Sequence, residues 1–167
     1  MSIRALIFDC DGTLTDSMQA HFVAWRDAVA PFGMTLDEQR FYTFSGTPSR
    51  RVIPKLAAEQ GIELDFETAN LAKEEAFLES VHLLKPIDPV IEIARQHRGQ
   101  LPMAVASGGV RRIVVRQLEH VDIYDWFDTI VTAEDTERHK PDPDVFLEAA
   151  NRLNVPPEMC RVYEDGE

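Results

Sequence analysis

Four short apolar runs set the strongest limit on what this chain can fold into. They are residues 3–8 (IRALIF), 101–107 (LPMAVAS), 128–133 (DTIVTA) and 161–165 (RVYED). Each suits a strand of a parallel sheet buried on both faces. Helical patterns over 87–97, 111–120 and 143–153 precede the last three runs, with Pro143 well placed in a first turn. Strands alternating with helices build βαβ units, so the expected fold is α/β, a doubly wound (Rossmann-like) parallel sheet. Such sheets bind ligands at the carboxyl ends of their strands. Polar residues follow every run here: Asp9 and Asp11, Ser107, Asp135, Glu164 and Asp165.

Residues 16–85 interrupt the alternation and show no convincing strand. Met18, Phe22, Trp25, Val29 and Phe32 fall on one helical stripe, with Ser17 as a candidate N-cap. Thr47 and Pro48 open a second helix that runs toward Gly61 as its stop, with Pro54 a point of kinking. A third helix covers about 66–82. The expected organisation is a core of residues 1–15 and 86–167 interrupted by an all-helical insert, 16–85. The core ends just after its last strand-like run. The expectation is therefore that its C-terminal helix and strand are absent from this chain.

Composition narrows the partners. The 167 residues are 44% hydrophobic and 28% charged, which suits a globular chain with one sizeable core. Twenty-nine acids against 17 Lys and Arg leave a formal net charge of −12, which argues against nucleic acid and anionic membranes. A small anionic ligand stays possible, because a local pocket can be positive on a negative protein. No stretch approaches a membrane span, and Met1–Arg4 leads straight into a strand-like run without a leader-like apolar segment. Cys10 and Cys160 are the two cysteines and form neither a disulfide framework nor a zinc spacing. The expectation is a cytoplasmic monomer.

The run IFDCDGTLTDS ends a buried-looking strand in clustered negative charge. Like carboxylates at close range repel unless a cation or a shared proton offsets them. Asp9 and Asp11 flank Cys10 at strand period, and Gly12 lets the chain bend so that both reach one pocket. With Glu164 and Asp165 from another strand end they form an oxygen-rich site for a hard cation, best Mg²⁺. Cys10 points away into the core. A metal held by carboxylates without a nucleotide cradle fits phosphoryl transfer. One Asp acts as covalent nucleophile and a second carboxylate moves the proton. Ser107, the Gly108 and Gly109 amides and Lys140 sit at other strand ends, where they can support charge on the phosphoryl oxygens.

The segments DCDGTLTDS, VASGG, HKPDP and VYEDG resemble, in order and spacing, the four motifs of the haloacid dehalogenase-like phosphohydrolases. The insert is similar to their subclass-one cap, and the resemblance spans essentially the whole chain. It implies Asp9 as nucleophile, and Asp11 as acid and base with its backbone carbonyl on Mg²⁺. It implies Ser107 and Lys140 as phosphate ligands, and Asp165 with Glu164 on the metal. Gly12, Thr13 and Gly108 then line the substrate. It also implies a mobile cap closing over the substrate, hinged near Leu14–Asp16 and Leu84–Pro89.

DGTLTDSMQAHFVAWRDAV further resembles the β-phosphoglucomutase and fructose-1-phosphatase-like branch, whose members act on small phosphosugars. His21, Trp25, Gly46, Arg50 and Lys73 are the insert residues that are candidates for substrate contact, with core packing the preferred reading of Trp25, a place at the edge of the cap core open for His21 and a solvated surface open for Arg50. The cap lysine is ambiguous. Counting from Leu71 and Ala72 puts Glu75 at its place, and counting back from Phe77 gives Lys73. The expected activity is a Mg²⁺-dependent sugar-phosphate phosphatase working through an aspartyl-phosphate. A β-phosphoglucomutase-type isomerase and a non-catalytic phosphosugar-binding module are the rivals.

Overall fold

The computed structural model describes residues 2–44 and 49–166. Along the chain the elements are β1 (Ala5–Phe8), β2 (Thr15–Asp16), α1 (Met18–Val29), α2 (Glu38–Tyr42), α3 (Ser49–Glu59), α4 (Phe66–Ser80), β3 (Lys85–Pro86), α5 (Asp88–His97), β4 (Met103–Ala106), α6 (Arg111–His120), β5 (Thr129–Val131), α7 (Asp144–Arg152) and β6 (Cys160–Tyr163). They form two compact units, Met1–Ser17 with Leu84–Glu167, and Met18–Leu83.

The first unit is built on a parallel sheet in the order β5-β4-β1-β6. Ile7 of β1 stands opposite Ala104 on one side and Val162 on the other. Every residue of β1 and β4 is buried, which is why those runs lack polar alternation. On one face Leu6, Phe8, Met103 and Val105 pack with Ile91 and Ala94 of α5 and with Val114 and Leu118 of α6. On the other, Ile7, Ala104, Ala106 and Val131 pack with Val145, Ala149 and Ala150 of α7. Helices on both faces make the sheet doubly wound. β6 is one of the two edge strands and leaves Arg161 and Val162 exposed.

A two-residue antiparallel ladder pairs Thr15 with Pro86 and Asp16 with Lys85. The sequence shows no strand there, because two residues are too few for a period to register. Arg111 is exposed and pairs with Asp135 at 2.6 Å, as Arg152 does at 2.8 Å.

In the second unit, Phe22, Trp25 and Val29 of α1 pack with Met34, Phe41, Val52, Ile53, Leu56 and Ala69. Met18 and Phe32, the ends of the predicted stripe, are partly buried against the same cluster. The sequence reading missed α2, whose five residues are too few for periodicity. Its N-cap is Asp37, whose side chain accepts from the Arg40 amide at 2.8 Å. The predicted helix start at Thr47 and Pro48 lies outside the described residues. From Ser49, α3 runs through Pro54, which has no amide to give to the carbonyl of Arg50. It stops where predicted, with Gly61 at φ +68°, the Ile62 amide on Ala57 O and the Gly61 amide on Ala58 O.

Candidate active site

The loops that leave β1, β4, β5 and β6 at their carboxyl ends converge. Asp9 follows β1 directly, and its amide donates to Tyr163 O at 2.9 Å, extending the β1–β6 ladder by one residue. The chain then folds over Cys10, whose carbonyl accepts from the amides of Thr13, Leu14 and Thr15 at 3.0–3.3 Å. Cys10 is fully buried, as its place between the aspartates requires. Gly12 turns the chain with φ +83°, and a Cβ built on it would stand 2.4 Å from Asp165 Oδ2. The first and last loops therefore touch at a position only glycine fits.

The loop after β4 fills the gap between the others. A Cβ on Gly108 would lie 3.9 Å from Lys140 Cδ, and one on Gly109 would lie 3.8 Å from Asp11 Oδ2. Ser107 is buried, and its Oγ accepts from the Gly109 amide at 3.1 Å. It does not cap α6, whose N-cap is Val110. Lys140, from the loop after β5, donates to Asp9 Oδ1 at 2.5 Å and to Glu164 Oε2 at 2.6 Å.

Asp9, Glu164 and Asp165 each bring a carboxylate oxygen into one group, all within 4.8 Å of one another. Burial pushes the Asp9 carboxyl up to about 7; the Lys140 ammonium works against the rise, and Asp11 and Glu164 add to it. Burial also raises Asp165, with Glu164 contributing. Burial opposes the charge of Lys140, but Asp9 and Glu164 outweigh it and raise its pKa. Lys140 alone thus leaves the carboxylates under-neutralised, and a bound divalent cation would relieve that. The donors are all oxygen, which fits a hard cation and not zinc.

The resemblance puts Asp11 on the metal through its backbone carbonyl and not through its side chain. Its carboxylate lies outside the converging group. Its Oδ1 accepts from the Ser17 hydroxyl at 2.6 Å and from Gln117 Nε2 at 3.1 Å. Spacing gave no warning of Gln117, and Ser17 had been read as a helix cap. The Thr13 hydroxyl is buried and has no hydrogen-bond partner among the described residues.

The insert residues expected at the substrate fall in the second unit. The His21 ring lies 4.5 Å from that of Phe77. The Lys73 ammonium stands 5.3 Å from the Phe77 centroid and 6.0 Å from that of Trp25. Glu75 is exposed. Trp25 is 1% exposed within the apolar core, so its ring packs, the reading preferred to a sugar platform, and its place among the candidate substrate residues is corrected. Arg50 is exposed near the start of α3, and Gly46 lies outside the described residues.

Comparison with known proteins meets this geometry from another side. The sequence profile of the haloacid dehalogenase-like hydrolases matches residues 6–167. The chain is 34% identical over 166 residues to the fructose-1-phosphate phosphatase of Escherichia coli, covering 97% of this chain and 86% of that protein. It is 28% identical over 169 residues to a phosphorylated carbohydrates phosphatase of Thermotoga maritima, covering 99% and 77%. The crystal structure of beta-phosphoglucomutase from Clostridium difficile superposes with a TM-score of 0.74 at 26% identity, over 98% of this chain and 76% of that one.

Proposed function

The chain belongs to the haloacid dehalogenase-like hydrolase family and is a phosphohydrolase, and from that premise we propose that it releases phosphate from a small sugar phosphate through an aspartyl-phosphate on Asp9. The observation that carries the reading is Asp9 itself. It is buried, paired to Lys140 through Oδ1, and followed two residues later by a second carboxylate in its own hydrogen-bond setting.

In the first half-reaction the free oxygen of Asp9 attacks phosphorus. The P–O bond to the sugar breaks, and the departing oxygen takes its proton from Asp11. In the second, Asp11 takes a proton from water as that water attacks the acyl phosphate, which returns Asp9 and frees inorganic phosphate. Lys140, the Ser107 hydroxyl and the amides of the following glycines support the charge on the phosphoryl oxygens. Mg²⁺, held by Asp9, Glu164 and Asp165, would shield that charge from the attacking carboxylate. The sugar as substrate class draws on the relatives named above, which include a fructose-1-phosphate phosphatase and a phosphorylated carbohydrates phosphatase.

A second reading, the mutase, has one observation in its favour. The Lys73 ammonium stands over the Phe77 ring that His21 also meets, which puts a lysine in that part of the insert. A phosphosugar mutase uses such a charge on a second phosphate.

The test is inorganic phosphate release from a panel of hexose, pentose and triose phosphates, with Mg²⁺ and with EDTA. The expected result is Mg²⁺-dependent release favouring one sugar, and its loss by a factor on the order of 10³ or more in Asp9→Asn. Sugar isomerisation that needs a bisphosphate and frees little phosphate would replace the phosphatase by the mutase. Tight binding with no turnover of either kind would leave a binding module.

A further inference from the structure

We propose that Gln117, on α6 and outside all four motif loops, is a positioning residue for the proton carrier. Its side-chain amide holds Asp11 by Oδ1 and so fixes the orientation of the carboxyl. The role assigned to Asp11 rests on the phosphatase reading; the contact itself does not.

Gln117 is wholly buried among Ile113, Val114 and Leu118, the inward face of α6. An apolar side chain would pack there at no polar cost, whereas a buried amide without partners is destabilising. Both ends of this amide are satisfied. Oε1 accepts from the Thr15 hydroxyl at 2.7 Å, and Nε2 donates to Asp11 Oδ1 at 3.1 Å. Thr15 is itself fully buried, and its hydroxyl lies 3.2 Å from Cys10 O. Because Thr15 occupies Oε1, the donor end of Gln117 is the end that meets the carboxylate. Ser17 adds a second donor to the same oxygen at 2.6 Å. Asp11 Oδ2 lies 3.8 Å from where a Cβ on Gly109 of the Ser107 loop would stand. With Oδ1 fixed by Gln117 and Ser17 the orientation of the Asp11 carboxyl is set. On the phosphatase reading Asp11 passes its proton to the sugar oxygen as the P–O bond breaks, and one from water replaces it in the second half-reaction.

Gln117→Met keeps the length and apolar bulk but removes the amide. Gln117→Glu keeps an acceptor for Thr15 and sets an anion against Asp11. Each is compared with the parent by kcat/KM on the preferred sugar phosphate and on p-nitrophenyl phosphate, whose leaving group needs no proton. We expect Gln117→Met to lose about 10- to 100-fold on the sugar phosphate through kcat, with KM little changed and the nitrophenyl ester within about threefold. Gln117→Glu should lose more on the sugar phosphate. Equal losses on both esters, or none on the sugar phosphate, would overturn the proposal.

A second readout needs no turnover and no variant of Gln117. In the parent protein the Gln117 side-chain amide protons should exchange slowly by NMR and shift in Asp11→Asn. Rapid exchange like that of a surface glutamine would overturn the contact even in an active enzyme. A protected amide in a protein that hydrolyses no phosphate ester would leave the contact standing and sink the phosphatase reading instead.

Discussion

Gly12 carries two constraints at once, a left-handed backbone at φ +83° and the carboxylate of Asp165 where a Cβ would go. The backbone strain of an alanine there costs about 1–2 kcal/mol, or a Tm lower by roughly 2–8 °C in a chain of this size. The steric conflict adds a functional loss. The nearest atoms are the end of the Asp165 side chain, which swings aside more cheaply than the loop. Gly12→Ala should therefore fold, with a Mg²⁺ concentration for half-maximal activity raised on the order of 10-fold. An unchanged Mg²⁺ requirement in the folded variant would show that Gly12 and Asp165 do not approach as described. This residue was legible in advance, because a glycine between clustered acids at a strand end signals a turn. The identity of the atom that meets it was not.

Helices α6 and α7 are joined to the end of β5 through Asp135. Its carboxylate accepts from the Thr132 amide and hydroxyl and from Arg111 and Arg152. Burial opposes the charge, but Arg152, Thr132 and Arg111 outweigh it and hold the carboxyl at about 2, below its ordinary 3.8. A depressed folded pKa contributes stability that is fully present above the unfolded value and is lost as pH falls through the folded one. The relevant window runs from about 4 down to about 2. Arg111 and Arg152 are 44% and 32% exposed, so screening reduces the contribution to roughly 1 kcal/mol. Glu148 also pairs with Arg152 and shares in it. Asp135→Asn should lower the denaturation midpoint at pH 7 by that amount, and its stability should fall less steeply between pH 4 and pH 2 than the parent's. Parallel acid limbs would refute the assignment. The sequence placed Asp135 correctly just past a strand. Its arginine partners lie 24 and 17 residues away, beyond the reach of any local pattern.

For the molecule as a whole, a metal bound at the carboxylate group would link folding to metal concentration. A ligand that binds only the folded chain stabilises it by about 2.7 kcal/mol at one hundred times its Kd. That corresponds to a Tm rise of roughly 5–11 °C. With a net charge of −12, part of any such rise could be ordinary screening, so the control is NaCl at matched ionic strength. Mg²⁺ should raise Tm beyond that control, EDTA should reverse the rise, and Asp165→Asn should lose most of it. A parent Tm indifferent to millimolar Mg²⁺ would remove the metal from the site.

By itself the sequence determined the α/β architecture, the helical character of the insert, the stop of α3 at Gly61 and the burial of Cys10. All of these follow from periodicity, backbone preference and polarity within a few residues of chain. Only the tertiary structure decided which groups meet. Lys140 reaches Asp9 across 131 positions, and Gln117 reaches Asp11 across 106. Trp25 lies inside the core of its unit, with no face left for a ligand. Asp11 leaves the carboxylates of Asp9, Glu164 and Asp165 for Ser17 and Gln117. A side chain's nearest partner is set by how the sheet twists and how helices pack on it, and that packing depends on the whole chain at once.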